Sequence, residues 1–174
     1  MGAGTTDSEK KPRTVTAIPQ VHELGQSFWL DYIRRDLVAS GELAELIYAG
    51  EVRGMTSNPT IFEEAIAKSD LYTEAIRPLA HAGWDAGRIF ETLAVEDIRA
   101  ATDLFLPLYE GTDGKDGFVS IEVNPRLADE TPATLEEARR LWQSVNRPNL
   151  MVKIPATPSG IPAIEQSILE GINV

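Results

Sequence analysis

The segment Leu150-Met-Val-Lys-Ile-Pro155 has the pattern of a buried β-strand that carries one lysine. Successive side chains of a strand point to opposite faces, so the aliphatic residues at 150, 152 and 154 share one face. We expect helices to cover that face. Lys153 then lies on the opposite face, which is the inside if the sheet closes into a barrel.

Three earlier segments are predicted strands of the same sheet, because each is a short apolar run bounded by turn residues. They are Ser27-Phe-Trp-Leu-Asp31, Val52-Arg-Gly-Met-Thr-Ser57 and Phe118-Val-Ser-Ile-Glu-Val-Asn124. The same alternation gives each strand polar inner positions near its carboxyl end. Along the chain, these positions are Asp31, Thr56, Asn58, Ser120, Glu122, Asn124 and Lys153. Their convergence at one end of a parallel sheet is typical of an enzyme built on a (β/α) barrel.

Helical patterns fill the stretches between the predicted strands. They cover about 32–48 with a break at Ser40-Gly41, 59–67, 69–109, 134–145 and 161–170. Asn58 or Thr60 can cap the second of these helices, and Thr134 with Glu137 has the spacing of a capping box. Strands and helices in alternation predict an α/β fold with a largely parallel sheet.

The two ends of the chain differ from the strand and helix units between them. Residues 1–20 are small, polar and contain proline, so we expect a flexible leader before a folded region at 21–174. Ile172-Asn-Val174 is predicted to begin a fifth strand. A parallel strand in a closed barrel is normally followed by its own helix, so we expect the N-terminal portion of a (β/α)8 TIM barrel, with four βα units and the start of strand five.

The composition disfavours several classes of protein. The chain carries 16 Lys+Arg against 27 Asp+Glu, and its formal net charge of −11 at pH 7 disfavours nucleic acid as a partner. No stretch approaches the ~20 apolar residues of a membrane-spanning helix. The absence of cysteine excludes disulfides and thiolate chemistry and fits a reducing compartment. No metal-ligand spacing is present, which disfavours a metal-dependent enzyme.

The lysine on the inner face of an apolar strand needs a physical explanation, because burying an unpaired ammonium is costly. The Lys153 side chain can snorkel, pair with a carboxylate, or act as a neutral amine. A neutral amine attacks a ketone and forms a Schiff base, which permits cleavage of the neighbouring C–C bond without a metal. Asp31 and Glu122 are candidate acid and base groups for such a step, and Asn58 and Thr56 can hold substrate hydroxyls.

Three motifs on the predicted strands resemble the successive signatures of the transaldolase family. They are Gly54-Met-Thr-Ser-Asn-Pro-Thr-Ile-Phe62, Ser120-Ile-Glu-Val-Asn-Pro-Arg126 and Leu150-Met-Val-Lys-Ile-Pro-Ala-Thr157. The opening Trp29-Leu-Asp31 and the closing Glu170-Gly-Ile-Asn-Val174 agree in order and spacing, so the resemblance covers about residues 24–174. The opening is similar to that of the longer bacterial transaldolases, some of which are fused to phosphoglucose isomerase.

The resemblance implies a class I aldolase type of barrel and a role for each candidate residue. Lys153 would form the Schiff base, and Asp31 would exchange the proton of the substrate hydroxyl during C–C cleavage. Glu122 would act through a water on the carbinolamine and imine steps. Asn58 and Thr56 would bind the dihydroxyacetone part of the substrate. No cofactor is implied.

The implied reaction transfers a dihydroxyacetone unit between sugar phosphates in the cytoplasmic, non-oxidative pentose phosphate pathway. Sedoheptulose 7-phosphate and glyceraldehyde 3-phosphate would give erythrose 4-phosphate and fructose 6-phosphate. One alternative is a class I aldolase that releases free dihydroxyacetone. The other is an inactive partial barrel that self-associates, or forms a homo-oligomer, through its open edge. The resemblance places the residues that bind the substrate phosphate beyond Val174.

The sequence departs from the family at two positions and leaves structural alternatives open at others. Ser57 stands where the family usually has threonine, and Asn124 where many relatives have aspartate. On spacing alone, Asp31 or Asn58 can simply cap the helix that follows it. Glu122 can pair with Lys153 or with the arginine at 126, and the threonine at 56 can fill a layer of the barrel.

Five other residues are interpreted as structural. Thr157 and Ser159 are predicted to cap the helix that follows the fourth strand rather than to contact substrate. Trp29 is predicted to belong to the core. His22 and His81 lie outside the strand ends and are predicted to be surface residues.

Overall fold

The computed structural model describes residues 17–174, and a parallel sheet of four strands lies at its centre. The strands are β1 (Trp29–Asp31), β2 (Gly54–Thr56), β3 (Phe118–Glu122) and β4 (Leu150–Lys153). They lie in the sheet in chain order, and each is parallel to its neighbour. The predicted parallel α/β architecture is therefore confirmed, as the first four βα units of a (β/α)8 barrel.

Helices lie before, between and after the strands, and one aliphatic face of the sheet packs against the helical layer. In chain order they are α1 (Ile18–Glu23), α2 (Arg35–Ala39), α3 (Glu42–Tyr48), α4 (Pro59–Ala67), α5 (Thr73–His81), α6 (Ala86–Gly111), α7 (Thr131–Val145) and α8 (Gly160–Leu169). Two single 3-10 turns, Asp70–Tyr72 and Pro125–Leu127, precede α5 and α7. The break predicted at residues 40–41 separates α2 from α3, where Gly41 adopts a φ of +87° that favours glycine.

The two faces of the sheet have opposite character, as the alternation predicts. On the outer face, Val119, Leu150 and Val152 are fully buried against helices in the main core. On the inner face, the Lys153 side chain is half exposed. The aliphatic side chains that bind the sheet to its helices therefore leave the inner face free to carry polar groups.

The inner face has a close packing contact between β1 and β2. Trp29 lies opposite Gly54 in the strand register, and a Cβ added at Gly54 would lie 2.5 Å from ring carbons of Trp29. The glycine is thus required because the indole ring lies directly against the β2 backbone. This contact supports the interpretation of Trp29 as a packing residue.

Several of the predicted elements differ in their bounds from those observed, and β3 and β4 end at Glu122 and Lys153 rather than at residues 124 and 155. β1 begins at Trp29 rather than Ser27, and β2 spans Gly54–Thr56 rather than 52–57. Helix α7 begins at Thr131, so Thr134 lies inside the helix rather than at its N-cap. The Thr134 hydroxyl donates to the Leu127 carbonyl, 2.7 Å away. The predicted capping box is therefore wrong.

The two ends of the described region, at residues 17–20 and 172–174, differ from the predicted leader and the predicted fifth strand. Helix α1 begins at Ile18, so it includes the last three residues of the predicted leader, whose remaining part up to residue 16 lies outside the described residues. Residues 172–174 are not assigned as a strand. The Val152 N–H nevertheless donates to the Asn173 carbonyl at 2.8 Å, which is the backbone pairing expected of a neighbouring fifth strand.

A buried polar cluster ties α2 to α6. The Tyr72 hydroxyl donates to Asp97 Oδ2 at 2.7 Å, and Arg35 Nε donates to Asp97 Oδ1 at 2.8 Å. Tyr72 is fully buried, and the Arg35 guanidinium lies 4.8 Å from the centre of its ring. Burial is the main cause that raises the pKa of Asp97 and of Tyr72 above their ordinary values. The hydrogen bonds offset that cost for the Asp97 carboxylate.

No helix within residues 17–174 has the length and apolar character that crossing a membrane would require.

Replacing Tyr72 by phenylalanine tests this cluster. Tyr72→Phe removes one donor from the buried Asp97 carboxylate, so we expect it to lower the free energy of unfolding by about 1–3 kcal/mol in urea titrations. The matched control is Tyr48→Phe, since Tyr48 is 95% exposed, and it should change stability by less than about 0.5 kcal/mol. Equal unfolding midpoints for the two variants would contradict a stabilising role for the cluster.

Candidate active site

The strand register brings a lysine and a glutamate together at the carboxyl end of the sheet. Glu122, the last residue of β3, lies opposite Lys153, the last residue of β4. Lys153 Nζ lies 2.9 Å from Glu122 Oε2, and the Glu122 side chain is 14% exposed against 50% for Lys153. Of the two partners that the sequence leaves open for Glu122, the structure therefore shows Lys153. The pair combines an amine and a carboxylate within proton-transfer distance.

The aspartate of the first strand lies at the same end of the sheet. Asp31 is exposed and lies opposite Thr56 in the register of β1 and β2. It does not cap a helix, because α2 begins four residues later and Arg34 occupies the N-cap position. The capping alternative for Asp31 is therefore wrong, and its carboxylate is available at the strand end.

Asp31, Asn58 and Glu122 line one cleft. Its volume is about 460 Å³, and the rest of its lining comes from the first turn and a half of α4 and from Pro125. Residues from β1, β2 and β3 thus meet in one concavity at the carboxyl ends of the strands, where barrel enzymes place their active sites. The cleft is large enough for a small-molecule ligand.

Asn58 combines a structural contact with free donors. Its side-chain Oδ1 accepts the N–H of Ile61 at 3.0 Å, so Asn58 caps α4 and Thr60 does not. Its amide NH2 group makes no hydrogen bond to any residue within 17–174. The capping interpretation is confirmed, and the two N–H donors have no partner among residues 17–174.

Two hydroxyl groups join the end of β2 to β3 by hydrogen bonds. Ser120 Oγ donates to Thr56 Oγ1 at 3.0 Å, and the buried Ser57 Oγ donates to the Ser120 carbonyl at 2.8 Å. Thr56 therefore has a hydrogen-bond partner within the protein. Strand alternation places Ser120 on the inner face, but only the register shows that it touches Thr56.

Asn124 organises the loop after β3. Its Oδ1 accepts the N–H of Arg126 at 3.0 Å, and its own N–H donates to Glu137 Oε1 at 3.2 Å. Both contacts hold the backbone of the loop. An aspartate would accept the Arg126 N–H in the same way, so the substitution keeps this contact.

The remaining sequence-based interpretations have mixed outcomes. Thr157 Oγ1 accepts the N–H of Gly160, the first residue of α8, at 2.9 Å, whereas Ser159 makes no side-chain cap. His81 is exposed, as predicted. His22 is buried, so its predicted surface position is wrong: its ring packs edge-on against Phe28, with centroids 5.7 Å apart. Among residues 17–174, no three His, Asp or Glu side chains converge to hold a metal ion.

These features define a class of protein, a (β/α) barrel that carries a lysine and carboxylates at the carboxyl ends of its strands. A family model described as Transaldolase/Fructose-6-phosphate aldolase matches residues 28–174. The chain therefore belongs to the transaldolase/fructose-6-phosphate aldolase family.

Individual relatives agree with the family assignment. The chain is 51% identical over 154 residues to a protein named transaldolase from Thiobacillus denitrificans. This match covers 88% of the present chain and 43% of the relative. It is 50% identical over 157 residues to a protein named transaldolase from Thermobifida fusca, and this match covers 90% of the present chain and 43% of the relative. A protein named transaldolase 2 from Nostoc sp. is 48% identical over 155 residues, and this match covers 89% of the present chain and 41% of the relative. The chain thus spans about two-fifths of the length of the curated relatives it matches.

Substitutions at Asn58 separate its two contacts. Asn58→Ala removes the cap of α4 and should lower the free energy of unfolding by about 1 kcal/mol, measured by urea denaturation. Asn58→Asp keeps an accepting oxygen and should retain most of that stability, although it removes the free N–H donors. Thr60→Ala is the control, because this exposed residue in the same turn makes no cap. If Asn58→Asp lost as much stability as Asn58→Ala, the assignment of the cap to Oδ1 would be wrong.

Proposed function

We propose that this chain carries the Schiff-base lysine of a transaldolase. The observation that carries the proposal is the Lys153 amine, held 2.9 Å from Glu122 at the carboxyl ends of two neighbouring strands. The reaction moves a dihydroxyacetone unit from sedoheptulose 7-phosphate to glyceraldehyde 3-phosphate, giving erythrose 4-phosphate and fructose 6-phosphate. Membership of the family and the relatives named transaldolase support this choice.

Lys153 reacts as a neutral amine after its proton has passed to Glu122. Its nitrogen adds to the ketone carbon of the donor sugar, and the resulting carbinolamine loses water to form an iminium. We assign the proton transfers of these steps to Glu122, acting through a water, because its carboxylate lies beside the amine. The positive iminium then draws electrons from the neighbouring C–C bond.

Asp31 acts in the cleavage step. Its carboxylate takes the proton of the hydroxyl on C4 while the C3–C4 bond breaks, so that an aldose leaves and an enamine remains on Lys153. The enamine carbon then attacks the acceptor aldehyde, and Asp31 returns the proton to the new alkoxide. Water hydrolyses the final iminium and frees the product ketose. Every proton and electron pair is thus returned without an external oxidant or cofactor.

Asn58 and Thr56 hold the dihydroxyacetone part. The free NH2 group of Asn58 lies in the same cleft as Asp31 and can donate to a substrate hydroxyl. Thr56 lies opposite Asp31 in the register, and its hydroxyl accepts the Ser120 hydroxyl, which directs its own proton away from Ser120. Both side chains thereby present donors to a sugar.

The surroundings of the enzyme are part of the same proposal. We assign it to the cytoplasm and to sugar phosphates rather than nucleic acids, because its formal net charge is −11 and it contains no cysteine. Self-association through the edge of the sheet is the corresponding proposal for its oligomeric state.

Borohydride trapping tests the role of Lys153. With fructose 6-phosphate present, sodium borohydride should reduce the iminium to a stable adduct that peptide mass mapping places on Lys153. Lys153→Met removes the amine but keeps most of the volume, and should abolish the adduct. Lys68→Met is the control, because Lys68 is an exposed lysine on the surface of the helical layer.

Three outcomes would contradict the proposal. An adduct on another lysine would overturn the assignment of Lys153. A folded chain that forms no adduct, under conditions in which the whole Thiobacillus denitrificans transaldolase does, would favour the inactive partial barrel. Release of free dihydroxyacetone without an acceptor aldehyde would instead favour the aldolase, the second activity in the family description.

Replacing Asp31 separates cleavage from Schiff-base formation. Asp31→Asn keeps the shape but removes the base, so the trapped adduct should persist while release of glyceraldehyde 3-phosphate from fructose 6-phosphate falls by about 10²–10⁴-fold. Single-turnover assays measure both quantities. Asp129→Asn, at an exposed position in the loop before α7, is the control. A parallel loss of adduct and release would show that Asp31 does not act specifically in cleavage.

A further inference from the structure

The hydrogen-bond ladder between β3 and β4 ends at the proposed catalytic pair. The Val119 N–H donates to the Asn149 carbonyl at 3.0 Å, and the Val123 N–H donates to the Lys153 carbonyl at 3.1 Å. In a parallel ladder every second residue of a strand donates to the same neighbour. The bond from the Val123 N–H to the Lys153 carbonyl is therefore the one nearest to the paired side chains of Glu122 and Lys153.

Two prolines prevent the ladder from continuing. The next donors on the two strands would be Pro125 and Pro155, and neither has an N–H group. The ends of a ladder fray unless another contact holds them. The carboxyl end of the β3–β4 pair thus needs a different connection.

A threonine hydroxyl supplies such a connection. Thr157 Oγ1 donates to the Ala128 carbonyl, which joins the loop after β4 to the loop after β3. The same oxygen accepts the Gly160 N–H at 2.9 Å. The loop is tightly folded, because a Cβ added at Gly160 would lie 1.9 Å from the Pro155 carbonyl oxygen. A second bond joins the loop after β4 to the start of α7, from Thr131 Oγ1 to the Ser159 carbonyl at 2.5 Å.

The loop that receives the Thr157 bond is itself anchored to α7. The Thr134 hydroxyl donates to the Leu127 carbonyl at 2.7 Å, next to the Ala128 acceptor. Glu137 accepts the N–H of Asn124 at the start of the loop. Thr157 therefore connects the segment that follows the lysine to a fixed part of the helical layer.

We propose that Thr157 is a positioning residue that keeps the last bonds of the β3–β4 pair closed and so holds the Lys153 amine beside Glu122. The proposal deepens the proposed function and rests on it for its consequence in catalysis. Its structural part, the closing of the strand ends, does not depend on any activity.

Hydrogen exchange tests the structural part. Thr157→Val removes the hydroxyl at nearly constant volume, and α8 keeps its start because Gly160 N–H also donates to the Thr157 carbonyl at 2.9 Å. We expect exchange of the Val123 amide to rise about fivefold to tenfold, as for the loss of one hydrogen bond, while the Val119 amide lower in the ladder is unchanged. Thr157→Ser should restore the slow exchange.

Borohydride trapping tests the catalytic part on the same proteins. The rate of adduct formation on Lys153 should fall several-fold in Thr157→Val and recover in Thr157→Ser. Thr92→Val is the matched control, because the Thr92 hydroxyl bonds only to the Arg88 carbonyl within α6. Unchanged Val123 exchange in Thr157→Val, or a serine variant as impaired as the valine variant, would overturn the proposal.

The two proposals fail in different ways. If borohydride traps no adduct on Lys153 in the wild-type chain or in any variant, the proposed function fails for this chain. Hydrogen exchange of the Val123 amide then still decides whether Thr157 holds the strand ends together. If the wild-type chain is trapped and Thr157→Val is trapped at the same rate, the proposed function stands and the positioning role is overturned.

Discussion

The pairing of Lys153 with Glu122 depends on a constraint that acts along the whole sheet. A strand has only two faces, so the register that buries Val119, Leu150 and Val152 under the helices also turns Glu122 and Lys153 to the inner side. A slip by one residue would bury the lysine and expose the aliphatic residues. The free energy that the core gains from apolar burial therefore also fixes the geometry of the site.

The same residues that build local structure also shape the site. Asn58 stabilises the start of α4 through its oxygen and keeps its N–H groups free in the cleft. Thr157 accepts from the start of α8 and donates across to the neighbouring loop. Capping and function are therefore not exclusive for a side chain with both a donor and an acceptor. Asp31 is different, because it makes no cap and its carboxylate is exposed.

Strand alternation predicted the two faces of β4 correctly: Leu150 and Val152 are buried, Met151 and Lys153 are more exposed, and the burial of the outer residues leaves a period of two in this strand. The motif spacing likewise placed Lys153 and Glu122 on adjacent strands. Contacts between distant segments could not be predicted this way, because they depend on how loops fold over the strand ends. The Thr134 hydroxyl looked like a cap yet bonds back to Leu127, and His22 became buried through its contact with Phe28.

The contact between Trp29 and Gly54 has a consequence for how this barrel can vary. The indole ring of Trp29 occupies the space beside both inward positions, so the combined side-chain volume of residues 29 and 54 is limited. A larger residue at 54 is compatible with the sheet only if the ring at 29 becomes smaller, and a change at either position alone leaves a clash or a void. In relatives that keep this register, the identities of these two positions should therefore covary, although they are 25 residues apart in the chain.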